Sequence, residues 1–342
     1  MNMTNSKYYS KEDFSNVEKV DAHVHMNTVQ SHFSRVAKDH NFKLISINTE
    51  VPEYPEIEQQ QKIILDQRKS YADTVHYLTT LNTESIGCDG WSKSTIEYIS
   101  KSLEAGALGV KVWKNIGMDL LRVDGTFIKI SDPEFYPIFN FLQENNVPVL
   151  GHIGEPRNCW LPLEEMTVKN DIAYYSKHPE FHMYLHPNYP SYEDLVDSRD
   201  RILQLFPDLQ FTGAHLGSME YSVDEVAKRL DRYPNFYVDL TDRIGHLQYQ
   251  SMEDRQRVID FIYAYQDRII YGTDLEFFDF HNEGDIRQQV LQTWQTDWAY
   301  FVTDDEMMVP ALDQPVLGLK LEKNVVDKIY RENAIFCYLK KG

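Results

Sequence analysis

Residues 17–25 read VEKVDAHVH, and the two imidazoles at the end of this run, His23 and His25, decide how the rest of the chain is read. Side chains alternate faces along a strand, so residues two apart point the same way. A His-x-His on one strand therefore aims two imidazoles at one point, which suits a metal ion and is out of place in an apolar core. A single histidine is ordinarily a satisfied core or surface residue. A pair on one strand face, followed by Met26 and Asn27 where a loop should begin, reads as half of a metal site.

Seven further β-rich runs follow, at residues 43–48, 75–80, 108–113, 147–151, 210–214, 236–240 and 269–272. Segments of helical periodicity separate most of them, including 94–104, 133–144, 192–205 and 223–230. Near-continuous apolar strands alternating with helices predict a parallel sheet, and eight such units predict an α/β fold of the closed (β/α)8 TIM-barrel type. An open doubly wound sheet would bring a Gly-rich phosphate turn. Neither G-x-G-x-x-G after a strand nor a Walker loop is present. Two stretches exceed what a connecting helix needs, 152–210 and 275–319, and read as long functional insertions after strands 5 and 8. No linker or repeat marks a boundary, so residues 1–342 are expected to form a single domain. The last helix, 322–338, carries Val325, Val326, Ile329 and Phe336 at helical spacing and is expected to pack on the barrel exterior.

Composition narrows the partners. Across 342 residues, 34 Lys and Arg stand against 53 Asp and Glu, for a formal charge of −19. A chain this acidic, with no basic stripe, is not expected to bind nucleic acid. The first residues, MNMTNSKYYSKEDF, lack the apolar core of a signal peptide. No run of about eighteen apolar residues could span a membrane. Cys88, Cys159 and Cys337 are too scattered for a disulfide framework or a Cys-based zinc site, so a reduced, cytoplasmic location is expected. For self-association the expectation is a symmetric homodimer.

The residues that terminate the expected strands carry the chemistry. Strand one ends in His23 and His25, strand five (VPVLGH) in His152, strand six (FTGAH) in His215 and strand eight (IIYGTD) in Asp274. In a parallel barrel all carboxyl ends lie on one face, which holds the active site. Taken singly, an Asp after Gly-Thr is a turn residue and a His before Leu-Gly a helix cap. Together they form one constellation.

The runs DAHVH, VPVLGHIGEP, FTGAHLGS, IIYGTD and YRENAIF resemble the amidohydrolase superfamily. They are most similar to its amidohydrolase-related branch of muconate-semialdehyde and resorcylate decarboxylases and pyrone-dicarboxylate lactonase. The likeness runs in order from about residue 20 to 338. It implies one divalent metal, usually zinc, held by His23, His25, His152 and Asp274, with His215 beside it as a catalytic group. Independently, imidazoles plus a carboxylate suit Zn²⁺ and leave a position open for water or substrate. Lys111, in LGVKVWKN on strand four, is expected to contact substrate or a ligand carboxylate. In binuclear relatives a strand-four lysine is carbamylated and bridges two ions, and that arrangement is the alternative.

The expected activity is metal-dependent hydrolysis of a small carboxylate-bearing lactone, amide or ester, with Asp274 as proton acceptor and His215 orienting the nucleophile. The alternative is a metal-dependent decarboxylase of an aromatic or muconate-type acid, which would use identical ligands. A non-catalytic barrel that binds a sugar or carboxylate is a third reading, and no missing ligand supports it. Arg157 and Arg243, after strands five and seven, are candidates to clamp a substrate carboxylate, with a surface salt bridge as the ordinary alternative. Trp113, Trp160, Phe277 and Phe278 are candidate apolar walls. His178, His182 and His186 fall at i, i+4 and i+8, but Pro179 and Pro187 interrupt them, so His186 is read as a substrate contact rather than a zinc ligand. No G-x-S-x-G elbow supports a serine hydrolase.

Overall fold

The computed structural model describes residues 6–339. Nine strands make one parallel sheet: β1 (Lys19–Asn27), β2 (Phe42–Ile47), β3 (Val75–Thr80), β4 (Val110–Val112), β5 (Val149–Gly151), β6 (Phe211–Gly213), β7 (Phe236–Asp239), β8 (Ile269–Ile270) and β9 (Glu276–Phe278). Their order is β8-β7-β6-β5-β4-β3-β2-β1-β9, so neighbours in sequence are neighbours in space from β1 to β8. The sheet curls in a TIM-barrel-like manner, and the segment after β8 returns to the first strand. Ala22 N donates to Tyr271 O at 3.1 Å, Asp274 N to His23 O at 2.9 Å and His25 N to Leu275 O at 2.8 Å.

The eight expected strands all occur, several of them trimmed. β3 spans the expected residues, whereas β4 to β6 keep only three residues each, although flanking residues such as Leu108, Gly109, Pro148 and Gln210 still make single backbone hydrogen bonds to neighbouring strands. β9 was not expected: the run EFF follows the Gly272–Asp274 turn too closely to register as a separate strand. A further antiparallel pair, Glu306–Met307 with Val316–Leu317, lies in the stretch after it. The helix Tyr192–Leu205 has the expected ends and begins with a reciprocal cap, in which Asp194 N donates to Ser191 Oγ at 3.1 Å and Ser191 N to Asp194 Oδ2 at 3.3 Å. The last helix is α-helical only over Lys323–Asp327 and continues with wider π turns over Lys328–Glu332 and Ile335–Leu339. Its Val325, Val326 and Ile329 are buried as expected, while Phe336 is half exposed, its ring 6.2 Å from Tyr237.

Two apolar layers sandwich the sheet. The inner one joins Val20 and Ala22 of β1 to Ile45, Ile47, Leu78, Leu150 and Ile270, and Ala334, Cys337 and Tyr338 of the last helical segment belong to it too. The outer one takes Val24 and Met26 of β1 together with Phe33 and the helices. Strict alternation would put Val20, Ala22 and Val24 on one face and leave both histidines on the other. The strand avoids this through a bulge: Asp21 pairs with Leu44 but Val24 pairs with Ser46, so β1 spends one residue more than β2. After the bulge the phase is reversed, Val24 and Met26 face the helices, and His23 and His25 face the cavity described below.

Gly151, at the end of β5, has no room for a side chain: a Cβ there would stand 2.2 Å from Phe211 Cζ. Gly151→Ala should destabilise the fold by about 1–3 kcal/mol through overpacking, read in urea unfolding as a lower midpoint with an unchanged slope.

Candidate metal centre

The site is built from the carboxyl ends of β1, β5, β6, β7 and β8. His23 and His25 leave β1 two residues apart and are both buried. His215 follows β6 in a left-handed turn, with φ of 59° at His215, 56° at Leu216 and 58° at Ser218. Each such non-glycine residue costs about 1–2 kcal/mol, and hydrogen bonds hold the turn. His215 N donates to Asp239 Oδ1 at 2.7 Å, and Tyr192 Oη donates to Ser218 O at 2.5 Å. Asp274 also has a left-handed backbone, φ 66°, fixed by its N–H bond to His23 O.

Partners assign the tautomers. His25 Nδ1 lies 2.9 Å from Ile47 O and His215 Nδ1 2.9 Å from Thr241 O. A carbonyl can only accept, so both Nδ1 atoms carry the proton and both Nε2 atoms present lone pairs. His23 Nδ1 donates to Asp239 Oδ2 at 2.8 Å, with the same consequence for its Nε2. These lone pairs converge on Asp274: its Oδ1 is 3.2 Å from His25 Nε2 and 3.5 Å from His23 Nε2, and its Oδ2 is 4.0 Å from His215 Nε2. His23 Nε2 also accepts from Lys111 Nζ, but His25 and His215 face Asp274 as acceptor to acceptor, which is unfavourable unless a cation sits among them. Ligand atoms of His23, His25 and Asp274 all fall within 4.8 Å of one another, a spacing that a divalent ion can bridge.

The electrostatics suit the same ion. Burial lowers the pKa of His23, reinforced by Lys111, and burial drives His215 down to about 3. Burial and the neighbouring His215 hold His152 well below the ordinary imidazole value. For Asp274 burial acts upward, but His23, His25 and His215 outweigh it and keep the carboxyl well below its usual range. Neutral imidazoles beside an ionised carboxylate are the protonation states a metal requires.

The residues expected from the sequence fall into two groups. His23, His25, His152, His215, Asp274, Lys111, Trp113 and Arg243 line one cavity of about 670 Å³. His152 stands in it but outside the tight three-residue cluster, its ring 4.2 Å from that of His215 and its Nε2 without a hydrogen-bond partner. Lys111 Nζ donates to His23 Nε2 at 3.2 Å, and burial lowers its pKa to about 8. Arg157 and His186 do not line this cavity. The Arg157 guanidinium stacks on Tyr221 at 4.8 Å and lies 3.7 Å from Glu193, while His186 Nε2 donates to Pro179 O at 2.9 Å. The reason is local: a 3₁₀ turn over Arg157–Trp160 and another over Met183–Leu185, just before His186, carry both side chains away from the strand ends. Trp160 and Phe277 are also absent from the lining. Trp160 donates to Pro190 O at 3.2 Å and Phe277 packs against Phe33, with ring centroids 4.9 Å apart.

Other members went unread. Asp239, 2 % exposed, binds His23 through one oxygen and the His215 backbone through the other. Its signal was an acid inside the apolar run FYVDL. Lys114, paired with Glu155, adds a cation to the cavity. Tyr54, from the loop after β2, places its ring 5.2 Å from His25 and donates to Glu276 Oε2 at 2.5 Å. Nothing in VPEYPE marks it.

The amidohydrolase family model matches residues 85–338, and the chain belongs to that family. Among solved structures it is similar to 2,6-dihydroxybenzoate decarboxylase from Rhizobium, with a TM-score of 0.55 and 16% identity over 95% of this chain and 99% of that one. It is also similar to a dihydroxybenzoic acid decarboxylase from Polaromonas sp. JS666 with bound manganese and 2-nitroresorcinol, with a TM-score of 0.56 and 14% identity over 95% of this chain and 98% of that one. At such identities these likenesses speak for the fold. No curated protein sequence matches the chain. No helix among the described residues is long and apolar enough to cross a membrane.

Asp239→Asn keeps the volume of the side chain but removes the charge that orients His23. The expected result is a 10–100-fold loss of divalent-metal affinity with the fold retained, read by metal titration and circular dichroism.

Proposed function

We propose that the chain is a metal-dependent hydrolase, a single closed (β/α)8 domain that opens a small carboxylate-bearing lactone, amide or ester. The observation that carries this reading is the convergence of unprotonated Nε2 atoms on the Asp274 carboxylate, with an open cavity in front of them. His23, His25 and Asp274 would hold the ion, and His152 would complete the set through its unpartnered Nε2. Imidazole with carboxylate favours zinc, although such a set also accepts manganese. A divalent ion there supplies Lewis acidity, polarising a carbonyl and making water acidic near neutral pH.

The protein's own groups do the rest. Asp274, about a third exposed, is the most accessible of these groups, and its carboxylate takes the proton from the attacking water and returns it to the leaving group. His215 points its Nε2 lone pair at the same place and orients the nucleophile, held there by Thr241 and Asp239. Arg243, 6 % exposed and with Nε unpartnered, is positioned to hold a substrate carboxylate, and Trp113 and Tyr54 wall the space around it.

One observation favours decarboxylation as the second reading. Lys111, Lys114 and Arg243 line the same cavity, more positive groups than hydrolysis of a monoanion needs. A substrate carboxylate held at the ion would then be the leaving group, and Asp274 would be the proton donor to carbon.

Incubation of metal-loaded protein with lactones and with hydroxybenzoates separates the two by ring opening against CO₂ release, and turnover of neither sinks both. Asp274→Asn should lower kcat by about 10²–10⁴, the span general acid–base groups supply, with an unchanged circular dichroism spectrum. Removal of the metal by a chelator should abolish activity, and zinc should restore it.

A further inference from the structure

A second chamber of about 460 Å³ adjoins the metal cavity and shares Asn170, Asp171, Asp242, Thr273 and Thr293 with it. Thr273 is the residue before Asp274, so the shared wall stands directly beside the candidate metal ligand. The helices Ile244–Tyr265 and Glu283–Val302 supply much of the rest, including Gln248, Gln292, Thr296 and Asp297.

The lining excludes several ligand chemistries. No Lys or Arg is among the described lining residues, so a carboxylate or phosphate would enter without a counter-charge. No Phe, Tyr or Trp is among them either, so a quaternary ammonium would find no cation–π face, and the one imidazole, His246, is bonded to Asp171. Its carboxylates are already engaged. Asp171 accepts from Asn158 Nδ2 at 2.8 Å and His246 Nε2 at 3.1 Å, Asp242 from Arg243 Nη1 at 2.5 Å, and Asp297 from Tyr271 Oη at 2.8 Å. Such acids retain acceptor lone pairs for further donors.

Gln248 supplies the independent sign of a ligand. It is 4 % exposed, yet its side-chain amide makes no hydrogen bond with any described residue, and its backbone carbonyl alone accepts from Ser251 Oγ at 3.0 Å. The residue lines the chamber, so its amide offers an occupant one carbonyl acceptor and an NH₂ donor that no described residue uses. Amides, threonine hydroxyls and carboxylates with spare lone pairs, with no Lys or Arg and with the one imidazole, His246, already bonded to Asp171, match vicinal hydroxyl groups.

We propose that the substrate is bipartite, with its reacting head at the metal centre and a neutral, hydroxyl-rich tail of the polyol or sugar class seated in this second chamber. The proposal rests on the metal-centre reading for the head alone. The tail site stands on the chamber, on Gln248 and on the shared wall.

Hydroxamates of equal chain length give the test, since they share a metal-seeking head and differ in the tail. Calorimetry on zinc-loaded protein should show D-gluconohydroxamate binding at least tenfold tighter than hexanohydroxamate. In Gln248→Leu and in Thr296→Phe that ratio should fall to about one, with the affinity for hexanohydroxamate unchanged. Equal binding of the two by the unaltered protein, or tighter binding of 6-aminohexanohydroxamate than of the polyol, overturns the proposal. If neither hydroxamate binds, the metal-centre reading fails and D-glucitol judges the chamber by itself. Saturation-transfer NMR on metal-free protein should show its contact in the unaltered chain and lose it in Thr296→Phe, and no contact in either overturns the proposal.

Discussion

The Asp239 carboxylate ties the active face together. One oxygen accepts from His23 Nδ1, and the other accepts from the backbone N–H of His215, so a single buried acid fixes a side chain from β1 and a turn after β6. The first bond sets the tautomer that turns the His23 Nε2 lone pair toward Asp274. The second stabilises a left-handed His215 that would otherwise be strained. Burial alone would raise the pKa of this acid, but the two histidines outweigh it and keep it ionised. A buried charge with both oxygens engaged in this way is an orienting device, of the kind that commonly stands behind metal-ligating histidines.

Geometry and charge then divide the labour across the mouth. Burial holds His23, His152 and His215 below the ordinary imidazole value, the histidines hold Asp274 below the ordinary carboxyl value despite its burial, and Lys111, Lys114 and Arg243 stand on the surrounding wall. Most of these charges are already balanced by a protein partner: Lys114 by Glu155 and Arg243 by Asp242. Lys111 donates to His23 Nε2; the unbalanced feature is the lone pairs on His25 and His215 that face Asp274, and that is where a cation belongs. The second chamber differs in kind, its described lining carrying amides, hydroxyls and engaged carboxylates but no Lys or Arg, and the contrast between the two spaces is what points to a substrate with two unlike ends.

Much of this was legible in the chain. His23, His25, His152, His215 and Asp274 each end an apolar run, and the barrel-like order of the strands brings all of them to one cavity. Arg243 and Trp113 were legible for the same reason, since strand ends have only one place to go. Arg157 and His186 were not. They lie beyond the strand end, in a segment of short turns, where a rotation of a few backbone angles sends a side chain to the opposite side. Tyr54 was silent because its loop has no periodicity, and its position against His25 comes from the hydrogen bond to Glu276 on β9.

By itself the sequence determined the alternation of strand and helix, the class of fold and the identity of the groups at the strand ends. These follow from local periodicity and from where each apolar run ends. Only the tertiary structure decided which face β1 shows, because the bulge between Asp21 and Val24 arises from pairing with β2 and reverses the phase at the histidines. The structure likewise decided that Asp239 serves both β1 and β6, and that a second chamber opens beside Thr273. Each of these depends on residues far apart in the chain meeting in space, a distance that no local pattern encodes.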